Sequence, residues 1–170
     1  MGKDSTEVRN PQRKLMPDTV GLEQHKPTSL WEIANKAKAD KQHRFQNLYR
    51  CLDAPMLLHC WSELNKSAAS GVDGMTAATY AENLHANIQS LAQRLKSKDY
   101  RTKLVRRCYI PKEKGKERPL GIPALEDKLV QAACAKTLSA IYEQDFVAGS
   151  YGYRAGRGTG DAVKDLTFDL

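Results

Sequence analysis

No run of apolar residues in this chain approaches the ~20 positions a helix needs to cross a bilayer. The polar opening MGKDSTEVRNPQRK lacks the apolar core of a secretory signal, so a soluble, cytoplasmic protein is expected. Cys51, Cys60, Cys108 and Cys134 show no CxxC spacing, which argues against a zinc site or a disulfide framework and leaves them as reduced, small hydrophobes. A glycine-rich segment is present, but it has neither a Gly-Lys-Ser/Thr ending nor a GxGxxG pattern, so a nucleotide-hydrolase phosphate loop is rejected. Acidic residues are the scarcer charge: 27 Lys+Arg stand against 20 Asp+Glu, giving a net charge of +7 and a pI near 9.2.

What is present is one domain's worth of material. With 170 residues, 41% of them hydrophobic, the chain can bury a core. The cationic excess is concentrated. From Arg94 to Arg118 there are eleven basic residues against Asp99, Glu113 and Glu117, the electrostatic footprint of phosphate binding.

Residues 1–27 are polar, carry Pro11, Pro17 and Pro27 and lack periodicity, which predicts a flexible tail ahead of an ordered region over 28–170. Ser29 and Glu32 form a capping box for a short helix with Leu30, Ile33, Ala34 and Ala37 on its apolar stripe. Lys36, Lys38, Lys41 and Arg44 read as its solvated face. Leu48, Leu52, Leu57, Trp61 and Leu64 predict further helix around an interruption at Pro55, with Trp61 a core anchor. Ser67 to Gly74 is a small-residue loop. Thr79 and Glu82 make a second capping box, and Tyr80, Leu84, Ile88, Leu91 and Leu95 recur on one face of a single helix. His85 beside that face reads as a packed or surface histidine.

Leu104 to Ile110 alternates as a half-buried strand, and Arg118 to Ile122 is a shorter return strand, with Gly115 supplying the reversal. A turn centred on Gly115 places Ile110 opposite Leu120, Tyr109 opposite Gly121 and Lys112 opposite Arg118. One face then has an apolar base, Cys108, Ile110, Leu120 and Ile122, and a tip bearing Lys112, Lys114, Lys116 and Arg118, while Glu113 and Glu117 point the other way. Like charges facing each other across a ladder cost stability, so such a tip suits an anion held between them; a lysine-rich tip that serves solubility is the plainer alternative. Leu125 to Phe146 carries a broad apolar stripe for a helix that backs the strands. A loop from Gly149 to Gly160 mixes Tyr151, Tyr153, Arg154 and Arg157 with glycines, a composition suited to close approach, forked donation and stacking on nucleic acid. Its structural alternative is an irregular connection whose tyrosines pack inward. Asp161, Asp165 and Asp169 read as polar positions of a helix starting near Gly160.

The string VRRCYIPKEKGKERPLGIPALEDKLVQ, the upstream GVDGMT and the downstream SYGYRAGRGTGDA resemble, in order and spacing, blocks of group II intron reverse transcriptases. The run SLWEIANKAKADKQHRFQNLYRCL resembles their lead-in. The resemblance implies an α+β fold, the fingers and beginning of the palm of a right-hand polymerase, mostly helical with an antiparallel β-hairpin. It implies that Lys112 and Arg118 contact the triphosphate of an incoming dNTP. Arg106 and Arg107, with Tyr151, Arg154 and Arg157, would line the path of the RNA template. Gly158 and Gly160 stand where many relatives have Ser and His, which softens that last assignment.

An intact polymerase of this kind is an RNA-directed DNA polymerase. It uses template RNA, intron RNA and a DNA primer, and Mg2+ held by aspartates that this chain does not contain; no catalytic or metal residue is therefore assigned. The chain ends within its last helix, as a fragment or truncated reading frame would, and is expected to bind no metal and to be inactive alone. Three readings stay open at the level of sequence: an enzyme fragment, a non-catalytic RNA-binding module of maturase type, and a decayed product.

Overall fold

A computed structural model describes residues 29–112 and 116–169. They fall into two compact units, one ending at Asp145 and the other running from Phe146 onward.

The first unit begins with α1, Leu30–Ala39, capped as expected. Ser29 Oγ accepts from Glu32 N at 3.2 Å while Glu32 Oε2 accepts from Ser29 N at 2.8 Å. Ile33 and Ala37 are its buried positions. A short 3-10 turn, Leu48–Cys51, leads to α2, Ala54–Glu63. There Asp53 Oδ1 accepts from Met56 N at 2.9 Å, and Pro55 sits in the first turn, where its missing N–H has no helical partner to lose. Trp61 is buried and lies 5.5 Å from Tyr80 between ring centroids, so the core-anchor reading holds.

The expected single helix after the small-residue loop is two. Helix α3 is Ala77–Ala81 and α4 is Leu84–Lys96, separated at Asn83. The cap is Thr76, whose hydroxyl accepts from Thr79 N at 3.2 Å; the Thr79–Glu82 box is not formed. Starting earlier lets both Ala77 and Tyr80 be buried. Asn87 Nδ2 then donates to the Tyr80 carbonyl at 3.0 Å, occupying a backbone acceptor freed by the break. The apolar spacing nonetheless reads correctly across the break, since Tyr80, Ile88 and Leu91 are all buried.

Strands β1, Arg106–Pro111, and β2, Glu117–Ile122, form a two-stranded antiparallel sheet. Helix α5 follows, Leu125–Tyr142, ending four residues before the expected Phe146. Leu57, Ile88, Leu91 and Leu129 are its and its neighbours' fully buried residues, at the centre of a core shared by α2, α3, α4 and α5. Helix α5 packs against α1, α2 and the 3-10 turn. The expectation that it backs the strands fails: its buried positions, among them Leu129, Ala133 and Thr137, are used within the helical body, and Ile110 and Leu120 each stay 40% exposed.

The described residues of the second unit form an irregular stretch and α6, Thr159–Asp169. The helix starts where the sequence places it.

Candidate nucleic-acid interface

The hairpin's register differs from the expected one by two residues. Cys108 faces Leu120, Ile110 faces Arg118 and Pro111 faces Glu117, and Lys112 N–H donates to the Lys116 carbonyl at 2.7 Å. Thus Lys112 meets Lys116, not Arg118. The prolines account for the shift. The hydrogen-bonded pair at 112 and 116 makes Pro111–Glu117 and Tyr109–Pro119 non-hydrogen-bonded pairs, where no N–H is required. The expected register would instead set Pro111 directly against Pro119 at that close spacing.

A two-residue shift preserves the faces, because side chains alternate with period two. Lys112, Lys116 and Arg118 therefore share one side of the ribbon with Cys108, Ile110, Leu120, Ile122 and Arg106, and Lys112 is diagonal to Arg118. Arg107 and Tyr109 lie on the other side, with Glu117. The turn at Gly115, with Glu113 and Lys114, lies outside the described residues.

The cationic run from Arg94 to Arg118 divides in two. Upstream of the hairpin, Arg94, Lys98, Arg101 and Lys103 have partners within the body. Arg94 Nη2 is 2.7 Å from Glu126 Oε1, Lys98 lies over the Tyr49 ring at 5.5 Å, and Lys103 Nζ is 3.0 Å from Asp73 Oδ2. Arg101 donates to the Lys98 and Tyr100 carbonyls at 3.1 and 3.0 Å. On the hairpin, Arg106, Arg107, Lys112, Lys116 and Arg118 are exposed and have no carboxylate within ion-pair distance among the described residues. Of these, Arg106, Lys112, Lys116 and Arg118 share one face and Arg107 lies on the other; unpaired cations gathered on that one face can take an anion without first breaking an internal ion pair.

The root of the hairpin contains buried polar side chains that sequence reasoning missed. Asp127 is 3% exposed; its Oδ1 accepts from the Tyr100 hydroxyl and its Oδ2 from Lys103 N at 3.1 Å. Burial and the Asp127 carboxylate push the Tyr100 phenol well above its usual range. The Tyr80 hydroxyl is also buried, and burial together with the neighbouring Glu126 carboxylate raises its pKa strongly. Asp73 is partly shielded from solvent, which works against ionisation. Hydrogen bonds from Lys103 Nζ and Met75 N prevail and hold its carboxyl below the ordinary value. In the sequence, Glu126 and Asp127 look like the polar face of an amphipathic helix, with no signal that they reach the chain before β1.

In the second unit, the expected template-contact residues serve the loop itself. Arg154 Nη1 donates to the Val147 and Ser150 carbonyls at 3.2 and 2.8 Å, and its guanidinium lies 4.9 Å from the Phe146 ring centroid. Arg157 Nη1 donates to the Ala148 and Ser150 carbonyls, and its guanidinium lies 5.6 Å from the Tyr151 ring. The Tyr151 hydroxyl donates to Asp165 Oδ2, and Asp161 Oδ2 accepts from Gly158 N at 3.0 Å. Tyr153 is fully exposed with φ 58°. The inward-packing alternative therefore describes Tyr151 but not Tyr153.

No group of three His, Cys, Asp or Glu side chains among the described residues comes together as a metal-holding set. No described helix is long and apolar enough to cross a membrane.

No protein-family model matches the chain. Among curated proteins, "Protein YkfC" of Escherichia coli (strain K12) is 36% identical over 143 residues, 82% of this chain and 38% of that protein. "Group II intron-encoded protein LtrA" of Lactococcus lactis subsp. cremoris is 36% identical over 148 residues, 83% of this chain and 24% of that protein. An "Uncharacterized 91 kDa protein in cob intron" of Schizosaccharomyces pombe is 32% identical over 123 residues, 71% of this chain and 15% of that protein. The chain thus spans well under half the length of each of these relatives.

Proposed function

The chain belongs with the group II intron reverse transcriptase and maturase proteins, and on that footing we propose that it forms the fingers, with the start of the palm, of an RNA-directed DNA polymerase. Its hairpin grips a polyphosphate. Lys112 and Arg118 hold the triphosphate of an incoming dNTP, with Lys116 between them on the same face. Arg106 and Arg107 lie along the template RNA. Tyr151, Arg154 and Arg157 reach that path through the shape of the loop they stabilise, since the two arginines already donate to its carbonyls. Intron RNA and a DNA primer are the further partners of the whole protein.

The observation that carries this reading is that Arg106, Lys112, Lys116 and Arg118 share one exposed face of the hairpin with no carboxylate within ion-pair distance among the described residues. A triphosphate carries about four negative charges, and each charge-assisted hydrogen bond to it contributes roughly 1.5 to 3 kcal/mol before solvent screening. No catalytic step is assigned to this chain, which on this reading binds without polymerising alone. The maturase-type alternative predicts binding to structured RNA without any preference for dNTP.

Filter binding of a structured RNA in rising salt, together with dNTP titration, tests the reading. A linear fall of log affinity with log salt is expected, together with dNTP binding that weakens in Lys112→Ala and Arg118→Ala more than RNA binding does. Equal loss of both ligands, or no saturable dNTP binding, overturns the assignment of the hairpin to the nucleotide.

A further inference from the structure

The hairpin leaves the helical body at two roots, and its apolar face packs against no helix to any great extent. Its direction must therefore be set where it is attached. At the outgoing root, residues 100–105, both oxygens of the buried Asp127 carboxylate are engaged, one by the Tyr100 hydroxyl and the other by Lys103 N at 3.1 Å. Lys103 is held a second time, through its Nζ 3.0 Å from Asp73 Oδ2. At the returning root, Ala124 is 1% exposed and lies against Gly71.

We propose that Asp127 is a positioning residue that fixes the angle at which the cationic hairpin projects from the body. The proposal rests on reading that hairpin as the anion grip. A carboxylate is the side chain the site requires, because it accepts at both oxygens; an amide would accept at one and turn an NH2 group toward a donor. Burying it is tolerated only because both oxygens have donors. Asp127 acts through the backbone of Lys103 and touches no ligand. Its effect on binding comes from holding Lys112 and Arg118 in a fixed place relative to the helical body, so that less ordering remains to be done when an anion arrives.

Residual dipolar couplings measured on the 15N-labelled chain test this, because they report the orientation of the hairpin relative to the helices, which loss of stability alone does not alter. In the wild type, amides of β1 and β2 and amides of α2, α4 and α5 are expected to fit one alignment frame. In Asp127→Asn and in Tyr100→Phe, which keeps the ring and removes only the hydroxyl, the hairpin couplings are expected to shrink relative to those of the helices, and dGTP affinity to fall with them. Tyr100→Phe decides the matter if Asp127→Asn does not fold. Hairpin couplings that keep their wild-type ratio to the helical ones in the folded variants overturn the proposal, as does a wild type that needs two frames. Shrunken couplings with unchanged dGTP affinity support the positioning role and count against the anion-grip reading.

Discussion

Gly71 lies so close to Ala124 that a Cβ added to it would sit 2.5 Å from the Ala124 Cα and 2.8 Å from the Pro123 carbonyl oxygen. Its neighbour in the same loop, Gly74, has open space around it but a φ of +67°. Two glycines three positions apart in the GVDG loop are thus needed for different reasons: one for contact with the returning root of the hairpin, the other for backbone conformation.

Gly71→Ala is expected to force backbone apart and to destabilise by about 1–3 kcal/mol, as overpacking does. Gly74→Ala meets only the left-handed conformational penalty of roughly 1 kcal/mol. Thermal melts of the two variants check this. A Gly71→Ala protein as stable as the wild type would mean that the loop does not seat on Ala124.

The Asp73–Lys103 pair makes stability depend on pH. Because the folded-state pKa of Asp73 is lowered, the group favours folding above its unfolded value, which is near 3.8. That contribution is lost as pH falls below this value toward the folded pKa. Denaturant melts from neutral to acid pH should show a loss in the wild type that is smaller in Asp73→Asn. Identical acid profiles would show that Lys103 does not hold this carboxylate.

Several elements were legible because the signal is local. The Ser29 capping box depends on residues within one turn of each other, and the apolar spacing of Tyr80, Ile88 and Leu91 survives even a broken helix, whereas Pro55, expected to interrupt a helix, sits in the first turn of α2 behind the Asp53 cap. The hairpin's faces were also readable, because period two is insensitive to a shift of two. Its register was not: it turns on the hydrogen-bonding pattern around Pro111 and Pro119, which composition does not display. The break at Asn83 depends on burying Ala77 with Tyr80. Least legible were long-range polar contacts. Nothing near Asp127 in the sequence points to Tyr100, and nothing around Arg154 shows that its donors turn back to Val147 and Ser150.

Those loop contacts carry a prediction of their own. Arg154→Ala removes two carbonyl partners and a ring contact. Amide hydrogen exchange over residues 147–158 is expected to quicken, by roughly tenfold for each ~1.4 kcal/mol of local stability lost. RNA binding should weaken with it. If RNA binding falls while exchange in the loop stays at the wild-type rate, Arg154 contacts the nucleic acid directly and not through the loop's shape.

The central claim is that the cations of one hairpin face receive a polyphosphate. Titrating the 15N-labelled chain with a deoxynucleoside triphosphate while following its amide resonances tests this most directly. The account predicts saturable shifts concentrated at Lys112, Lys116, Glu117 and Arg118 that are lost in the Lys112→Ala, Arg118→Ala double variant. Shifts centred on α1 or on residues 150–157, with the hairpin amides unmoved, would contradict it.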